Sequence, residues 1–244
     1  MLSASCHLIL DNMNHYVFTP QQQSSVAVRG QSARYAVSRI FCVGRNYAAH
    51  AREMGGNPDR EPPFYFMKPA SAILPSGMAI AYPPATQDYH FEMELVIAIG
   101  APVFRVPVEK AEAAVWGYAA GLDMTRRDLQ AQAKEARRPW DLGKGFEQSA
   151  VITEIVTASE SGHLGKGRIA LAVNGVTKQQ GDLADMIWSV PEIVANLSQY
   201  FHLQPGDLIY TGTPDGVGAV QPGDLITGEI EGLPSLSLKI LAAE

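Results

Sequence analysis

Glu92 and Glu94 stand two residues apart in a run, His90-Phe91-Glu92-Met93-Glu94-Leu95-Val96-Ile97-Ala98-Ile99-Gly100, that is otherwise apolar and β-branched and stops at a glycine. That composition predicts a buried strand over residues 91–99. Alternation puts Phe91, Met93, Leu95, Ile97 and Ile99 on one face and both glutamates on the other, with His90 beyond them. Adjacent carboxylates on a core-like strand repel each other and are costly to bury ionised and alone. Either each has a basic partner or a hard cation bridges both.

Other residues could share that chemistry. His50 and Glu53, at i and i+3, fall on one face of a short helix that Asn46 can cap and Gly55-Gly56 can end. Taken alone, this is also the spacing of a solvated surface pair. Asp123 lies where a strand gives way to a helix, a common place for a site carboxylate and equally for a cap. Lys144 sits between Gly143 and Gly145 and, by itself, reads as a surface lysine. Thr211-Gly212-Thr213-Pro214 is most simply a tight turn, and Arg45 and Arg52 can offset nearby acids. Gly216-Val217-Gly218-Ala219 hints at a dinucleotide loop, but proline flanks it and no helix follows, which argues against that reading.

The elements that must position these groups belong to a chain of 244 residues, enough for a substantial core in one domain or two. With 46% hydrophobic and 18% charged residues, a formal charge of −6 and no basic patch, nucleic acid is not an expected partner. The 22 glycines and 16 prolines favour many short strands over long helices. Two cysteines, Cys6 and Cys42, are too few for a disulfide framework or a thiolate zinc site and fit a reducing cytoplasm. No apolar run reaches membrane-spanning length. Residues 1–10 lack the marks of a signal peptide, and Met13 can serve as the start.

Taken in order, residues 1–14 read as a loose tail, 16–18 as a strand, and 26–28 with 35–37 as a small hairpin cap. Residues 40–44 read as a buried strand, and the proline-rich 62–84 as a site rim with strand fragments. Residues 108–114 predict a short helix and 115–123 a strand. Thr125 with Asp128 resembles a capping box that opens a helix through about Ala136. Asn174-Gly175 predicts a hairpin turn. Ser189 and Glu192, with Pro191 in the first turn, open a helix whose apolar face is Ile193, Val194, Leu197 and Phe201. Gln204-Pro205-Gly206-Asp207 and Gln221-Pro222-Gly223-Asp224 are near-copies, expected to launch two strands of one sheet.

Gly44-Arg45-Asn46-Tyr47 with His50 and Glu53, the Glu92/Glu94 strand, Gly121-Leu122-Asp123-Met124-Thr125, Lys144-Gly145-Phe146 and Thr211-Gly212-Thr213-Pro214 succeed one another as in the fumarylacetoacetate hydrolase superfamily, which the chain resembles from about Ile40 to its end. Within it the chain is similar to the small acylpyruvase type, and residues 16–43 resemble fumarylpyruvate hydrolases of bacterial gentisate breakdown. The resemblance implies an α+β, mostly β fold, a mixed β-roll with flanking helices. Residues 39–244 would form the catalytic domain and 1–38 a tail and small β cap. It implies a homodimer that binds Mg²⁺ or Mn²⁺ through Glu92, Glu94 and Asp123.

Hard oxygens without thiolate suit such an ion, and of about six octahedral positions about three stay open. His90, not a ligand in the family, is left to orient the ligands from behind or to pack. The resemblance makes His50 the general base, oriented by Glu53, and has Lys144 and the ion stabilise a leaving enolate. Arg45, Gln130 and Thr213 match substrate-contacting positions. The implied reaction cleaves the C3–C4 bond of a 2,4-dioxo acid, an acylpyruvate such as fumarylpyruvate, to pyruvate and a carboxylic acid. An alternative uses the same enolate for oxaloacetate decarboxylation or for isomerisation of an oxo-diacid. A third reading, from a different class, is a catalytically silent metal- and carboxylate-binding protein.

Overall fold

Short strands separated by glycine and proline turns build four sheets in the computed structural model, which describes residues 16–53 and 61–244. The largest runs in spatial order Phe64–Lys68, Arg39–Gly44, Asp207–Tyr210, Met93–Ile99, Val115–Asp123, Ala150–Ile152 and Ile73–Pro75, with Val156–Thr157 as its eighth strand beside Val115–Asp123. A five-stranded sheet runs Val176–Asp182, Arg168–Val173, Leu225–Ile230, Leu236–Leu241 and Ala79–Ala81. Both mix parallel and antiparallel pairs. Their inner faces meet in one core, to which the first contributes Leu95, Ile97 and Leu122 and the second Ile169, Leu171, Ile226 and Leu238. At roughly 1.5–3 kcal/mol for each such side chain fully buried, this layer is the main stabilising one. The fold is the mostly β mixed roll with flanking helices that the sequence implies.

A hairpin, Ser25–Ala27 with Arg34–Ala36, covers the outer face of the larger sheet. Val26, Val28, Tyr35 and Val37 pack there with Ile40, Cys42, Val96, Ala98 and Leu208. The Tyr35 hydroxyl accepts from Gly206 N–H at 2.9 Å and lies 2.7 and 2.8 Å from the carbonyls of Ile99 and Asp207.

Several local expectations hold. Asn174 and Gly175, at φ 51° and 79°, make the turn between Arg168–Val173 and Val176–Asp182. Glu192 accepts from Ser189 N–H at 3.0 Å at the start of helix Val190–Leu197. Others are corrected. The strand expected over 91–99 divides at Glu92. Tyr89–Phe91 pairs with Thr125–Arg126 and Gly218–Ala219 in a three-stranded sheet, while Met93–Ile99 enters the eight-stranded one. Alternation survives the joint, since Phe91, Met93, Leu95, Ile97 and Ile99 all reach the core.

Thr125 and Asp128 form no capping box. The Thr125 hydroxyl donates to Asp123 O, and the Asp128 carboxylate is drawn to Thr86 Oγ1 (2.6 Å) and Gln87 N–H (3.0 Å). The two Pro-Gly turns launch Asp207–Tyr210 and Leu225–Ile230, but into different sheets. The turn chemistry is local, whereas the sheet is chosen by the strand's own residues: Asp207–Tyr210 is buried throughout and Leu225–Ile230 alternates. Residues 16–18 form no strand, and Val17 and Phe18 are 92% and 85% exposed, because so short a run gains too little pairing to hold itself. The expectations for residues 1–14, Met13 and Gly55-Gly56 fall outside the described residues.

Candidate active site

Glu92 occupies the joint between the two sheets, and its carbonyl accepts Asp123 N–H at 2.9 Å. Asp123 ends the neighbouring strand Val115–Asp123, which runs antiparallel beside Met93–Ile99. This main-chain bond, with Glu94 two residues along, brings the three carboxylates together: oxygens from Glu92, Glu94 and Asp123 lie within 4.8 Å of one another, all buried.

Of the two compensations open to these acids, basic partners are present for Glu92 and Asp123. Lys144 Nζ donates to Glu92 Oε2 and Asp123 Oδ2, each at 2.7 Å. Arg127 Nη2 donates to Glu92 Oε1 at 2.5 Å. Lys68 Nζ lies 2.9 Å from Asp123 Oδ1, yet its hydrogens are directed at Met124 O, Lys144 O and Ser149 Oγ, so that buried oxygen receives no hydrogen bond. Glu94 pairs with no cation among the described residues; its Oε2 accepts Gly212 N–H at 2.8 Å.

These surroundings set how the groups titrate. Burial opposes ionisation of Glu92, but Lys144 and Arg127 outweigh it and hold its carboxyl well below the usual carboxylate range. Burial, with the Asp123 and Glu92 charges, pushes Glu94 well above that range. For Lys144 burial works against the charge, but Asp123 and Glu92 prevail and raise its pKa, so it is an ammonium. An all-oxygen donor set, one carboxylate lacking a cation and one buried oxygen lacking a hydrogen bond fit a hard divalent ion.

Across the cavity, His50 Nδ1 lies 3.2 Å from Glu53 Oε2 on helix Ala48–Glu53, and Gly216 N–H approaches both Glu53 oxygens at 3.2 Å. Asn46 does not cap this helix. Its amide donates to Trp188 O and Thr211 O and accepts Trp188 N–H, so it clamps three segments around the site. Thr211-Gly212-Thr213-Pro214 is a turn, as its composition suggests, but one that holds Glu94. At φ 97°, Gly212 admits only glycine comfortably, and a Cβ there would meet Asn46 Cβ at 2.7 Å. Arg45 is itself left-handed (φ 57°), a conformation costing a non-glycine residue about 1–2 kcal/mol.

Seven of the nine site residues expected from sequence line this one cavity, namely Glu92, Glu94, Lys144, His50, Arg45, Gln130 and Thr213. Asp123 and Glu53 adjoin it through Lys144 and His50. Gln130 accepts from Arg127 Nη1 at 2.7 Å, and Thr213 Oγ1 accepts from Gln179 Nε2 at 2.8 Å. Gly143 packs close against Gln130, and a Cβ there would come within 2.9 Å of Gln130 N. His90 pairs with Asp88 at 2.8 Å and does not line the cavity.

Sequence reasoning missed Lys68, Arg127 and Gln179. Gln179, fully buried, also accepts Met93 N–H at 3.0 Å, tying the ligand strand to the Thr213 turn. A lysine closing the apolar run 64–67 was the available signal for Lys68. Gln179 had none, being one polar residue in a polar strand.

The family described as fumarylacetoacetate (FAA) hydrolase, C-terminal, matches residues 39–241. A fumarylpyruvate hydrolase of a Ralstonia species is 54% identical over 184 residues, covering 75% of this chain and 95% of that protein. The oxaloacetate tautomerase YcgM of Escherichia coli K12 is 38% identical over 214 residues, 87% of this chain and 97% of that one. The crystal structure of a Pseudomonas aeruginosa fumarylpyruvate hydrolase in complex with Mn²⁺ and pyruvate superposes with a TM-score of 0.92 at 50% identity, covering 93% of this chain and 100% of the other. By its motifs, its fold and these likenesses, the chain belongs to the fumarylacetoacetate hydrolase family.

Proposed function

We propose that this chain hydrolyses the C3–C4 bond of a 2,4-dioxo acid, an acylpyruvate with fumarylpyruvate as leading candidate, to pyruvate and a carboxylic acid. One observation carries the reading: the His50–Glu53 pair and the acidic triad with Lys144 meet at a single cavity. The 54% identity to a fumarylpyruvate hydrolase supports the substrate class. In this reading residues 39–244 are the catalytic unit, the hairpin before them its cover, and the working form a cytoplasmic homodimer.

Glu92, Glu94 and Asp123 would hold Mg²⁺ or Mn²⁺. When bound, the ion supplies positive charge to the α-oxo acid end of the substrate and to the oxygen that becomes negative as the bond breaks. His50 takes a proton from water, while Glu53 orients the imidazole and stabilises its cation. The hydroxide adds to C4, the C3–C4 electron pair leaves on pyruvate as its enolate, and His50 returns the proton to C3. Lys144 adds fixed charge where the enolate oxygen develops, and preorganised charge of this kind often contributes more to catalysis than any other single effect. Arg45, Gln130 and Thr213 contact the substrate in this scheme.

The test is a turnover panel of fumarylpyruvate, acetylpyruvate, fumarylacetoacetate and oxaloacetate with Mg²⁺ or Mn²⁺. A diketo acid should be the best substrate, and His50→Ala should lose about 10²–10⁴-fold in kcat. Equal rates for His50→Ala and wild type would remove the general base. The 38% identity to an oxaloacetate tautomerase favours a second reading that uses the same enolate. Turnover of oxaloacetate exceeding every hydrolysis would put it first.

A further inference from the structure

Helix Arg127–Glu135 carries Arg127, Gln130 and Lys134 at i, i+3 and i+7, and all three line the cavity. Arg127 is committed to Glu92 and Gln130. Lys134 is not committed: among the described residues neither it nor Arg45, which lines the same cavity, is in an ion pair with a carboxylate. Two cations thus face the cavity with no anion of their own among the described residues. Arg45, Arg127 and Lys134 line the same cavity, and burial, then repulsion from the other two, pushes the Lys134 ammonium below the ordinary lysine value. An anion placed between them relieves that repulsion.

The remaining wall is aromatic. Phe64 meets Trp140 edge to face at 5.3 Å, Phe66 lies 5.7 Å from the same indole, and the Arg45 guanidinium stands over Phe64 at 5.7 Å. From Arg127, at the triad, to Lys134 the helix advances about 10 Å at 1.5 Å per residue. The seven-carbon chain of fumarylpyruvate, with six carbon–carbon bonds of about 1.5 Å folded at each atom, fits within that span.

We propose that Lys134, with Arg45, forms a subsite for a second carboxylate at the far end of the acyl group, so that the enzyme selects acylpyruvates whose acyl part ends in a carboxylate. The helix acts as a ruler, with the α-oxo acid end beside Lys144 and the ion that the acidic triad would hold, and the distal carboxylate about two turns further along. A methyl-terminated acyl group is too short to reach Lys134. This inference rests on the acylpyruvase reading for its substrate and on the cavity alone for its binding chemistry.

The experiment compares wild type, Lys134→Met and Lys134→Arg, all loaded with Mn²⁺. The ratio of kcat/KM for fumarylpyruvate to that for acetylpyruvate should fall about tenfold or more in Lys134→Met, mainly through KM, and recover in Lys134→Arg. Calorimetric binding of fumarate against crotonate, its monocarboxylate counterpart, should show the same loss of preference. A fumarate preference unchanged in Lys134→Met overturns the subsite whatever the turnover assay gives. If the wild type cleaves neither diketo acid but loses its fumarate preference on Lys134→Met, the subsite stands and the hydrolase reading fails instead.

Discussion

Glu94 is the carboxylate on which the ion site turns, because Glu92 and Asp123 are already supported by Lys144, Arg127 and Lys68, while among the described residues Glu94 has only the Gly212 N–H. Glu94→Gln keeps an oxygen for that hydrogen bond and removes the charge. Without metal, the variant should melt at or above the wild-type temperature, since a buried carboxylate without a cation is costly. Its Mn²⁺ affinity should fall by at least the 10–100-fold that even a residue behind the ligands is typically worth, about two orders of magnitude at the upper end. Paired thermal melts and Mn²⁺ titrations check both, and unaltered Mn²⁺ affinity would remove Glu94 from the site. The acids were legible in the sequence because a charge inside an apolar alternation is conspicuous. Their basic partners were not: Lys68 and Arg127 look like ordinary polar ends of a strand and a helix until the fold turns them inward.

The elements show how local signals and their meaning part company. Thr125 three residues before Asp128 has the spacing of a capping box, yet the strand pairing of Thr125–Arg126 fixes that segment instead, and Asp128 ties the helix to the loop at Thr86 and Gln87. Burial is the largest single influence and opposes its ionisation, but hydrogen bonds from Thr86, Gln87 and Leu129 together outweigh it and lower its pKa. A carboxylate with a folded pKa below its unfolded one stabilises the protein above the unfolded value, near 3.9, and loses that contribution as pH falls through the folded value. Asp128→Asn should therefore melt below wild type at pH 7, and the two curves should converge below about pH 3.9. A constant gap across that range in melts from pH 3 to 7 would rule out the carboxylate charge as the cause. The Glu-x-Glu run looks like one strand for a similar reason. Alternation reports faces faithfully, but nothing in it marks where the chain passes from one sheet to another, and Glu92 sits at that passage.

In the whole molecule, the triad and the hairpin share the outer face of the larger sheet: Glu94 alternates in step with Val96 and Ala98, and Asp123 with Ala119, which lie in the cluster under the hairpin. The sequence revealed the hairpin but not its task there. Its apolar residues close over Ile40, Cys42, Val96 and Leu208, and Cys42 is wholly buried, its thiol pushed well above the usual range first by burial and then by the Asp123 charge. Such a thiol is inert while the cover stays shut. Tyr35 is the fastening: its hydroxyl reaches three main-chain groups and its ring stacks on Trp116 at 5.6 Å. Losing a buried aromatic to alanine costs about 3–5 kcal/mol. If the hairpin opens as a unit, that loss raises the open population about a hundredfold or more, at tenfold per 1.4 kcal/mol. In a Cys6→Ser background, Tyr35→Ala should speed labelling of Cys42 by a thiol reagent by that factor under native conditions. Labelling at the parent rate would show that Cys42 is exposed by an opening in which Tyr35 keeps its contacts.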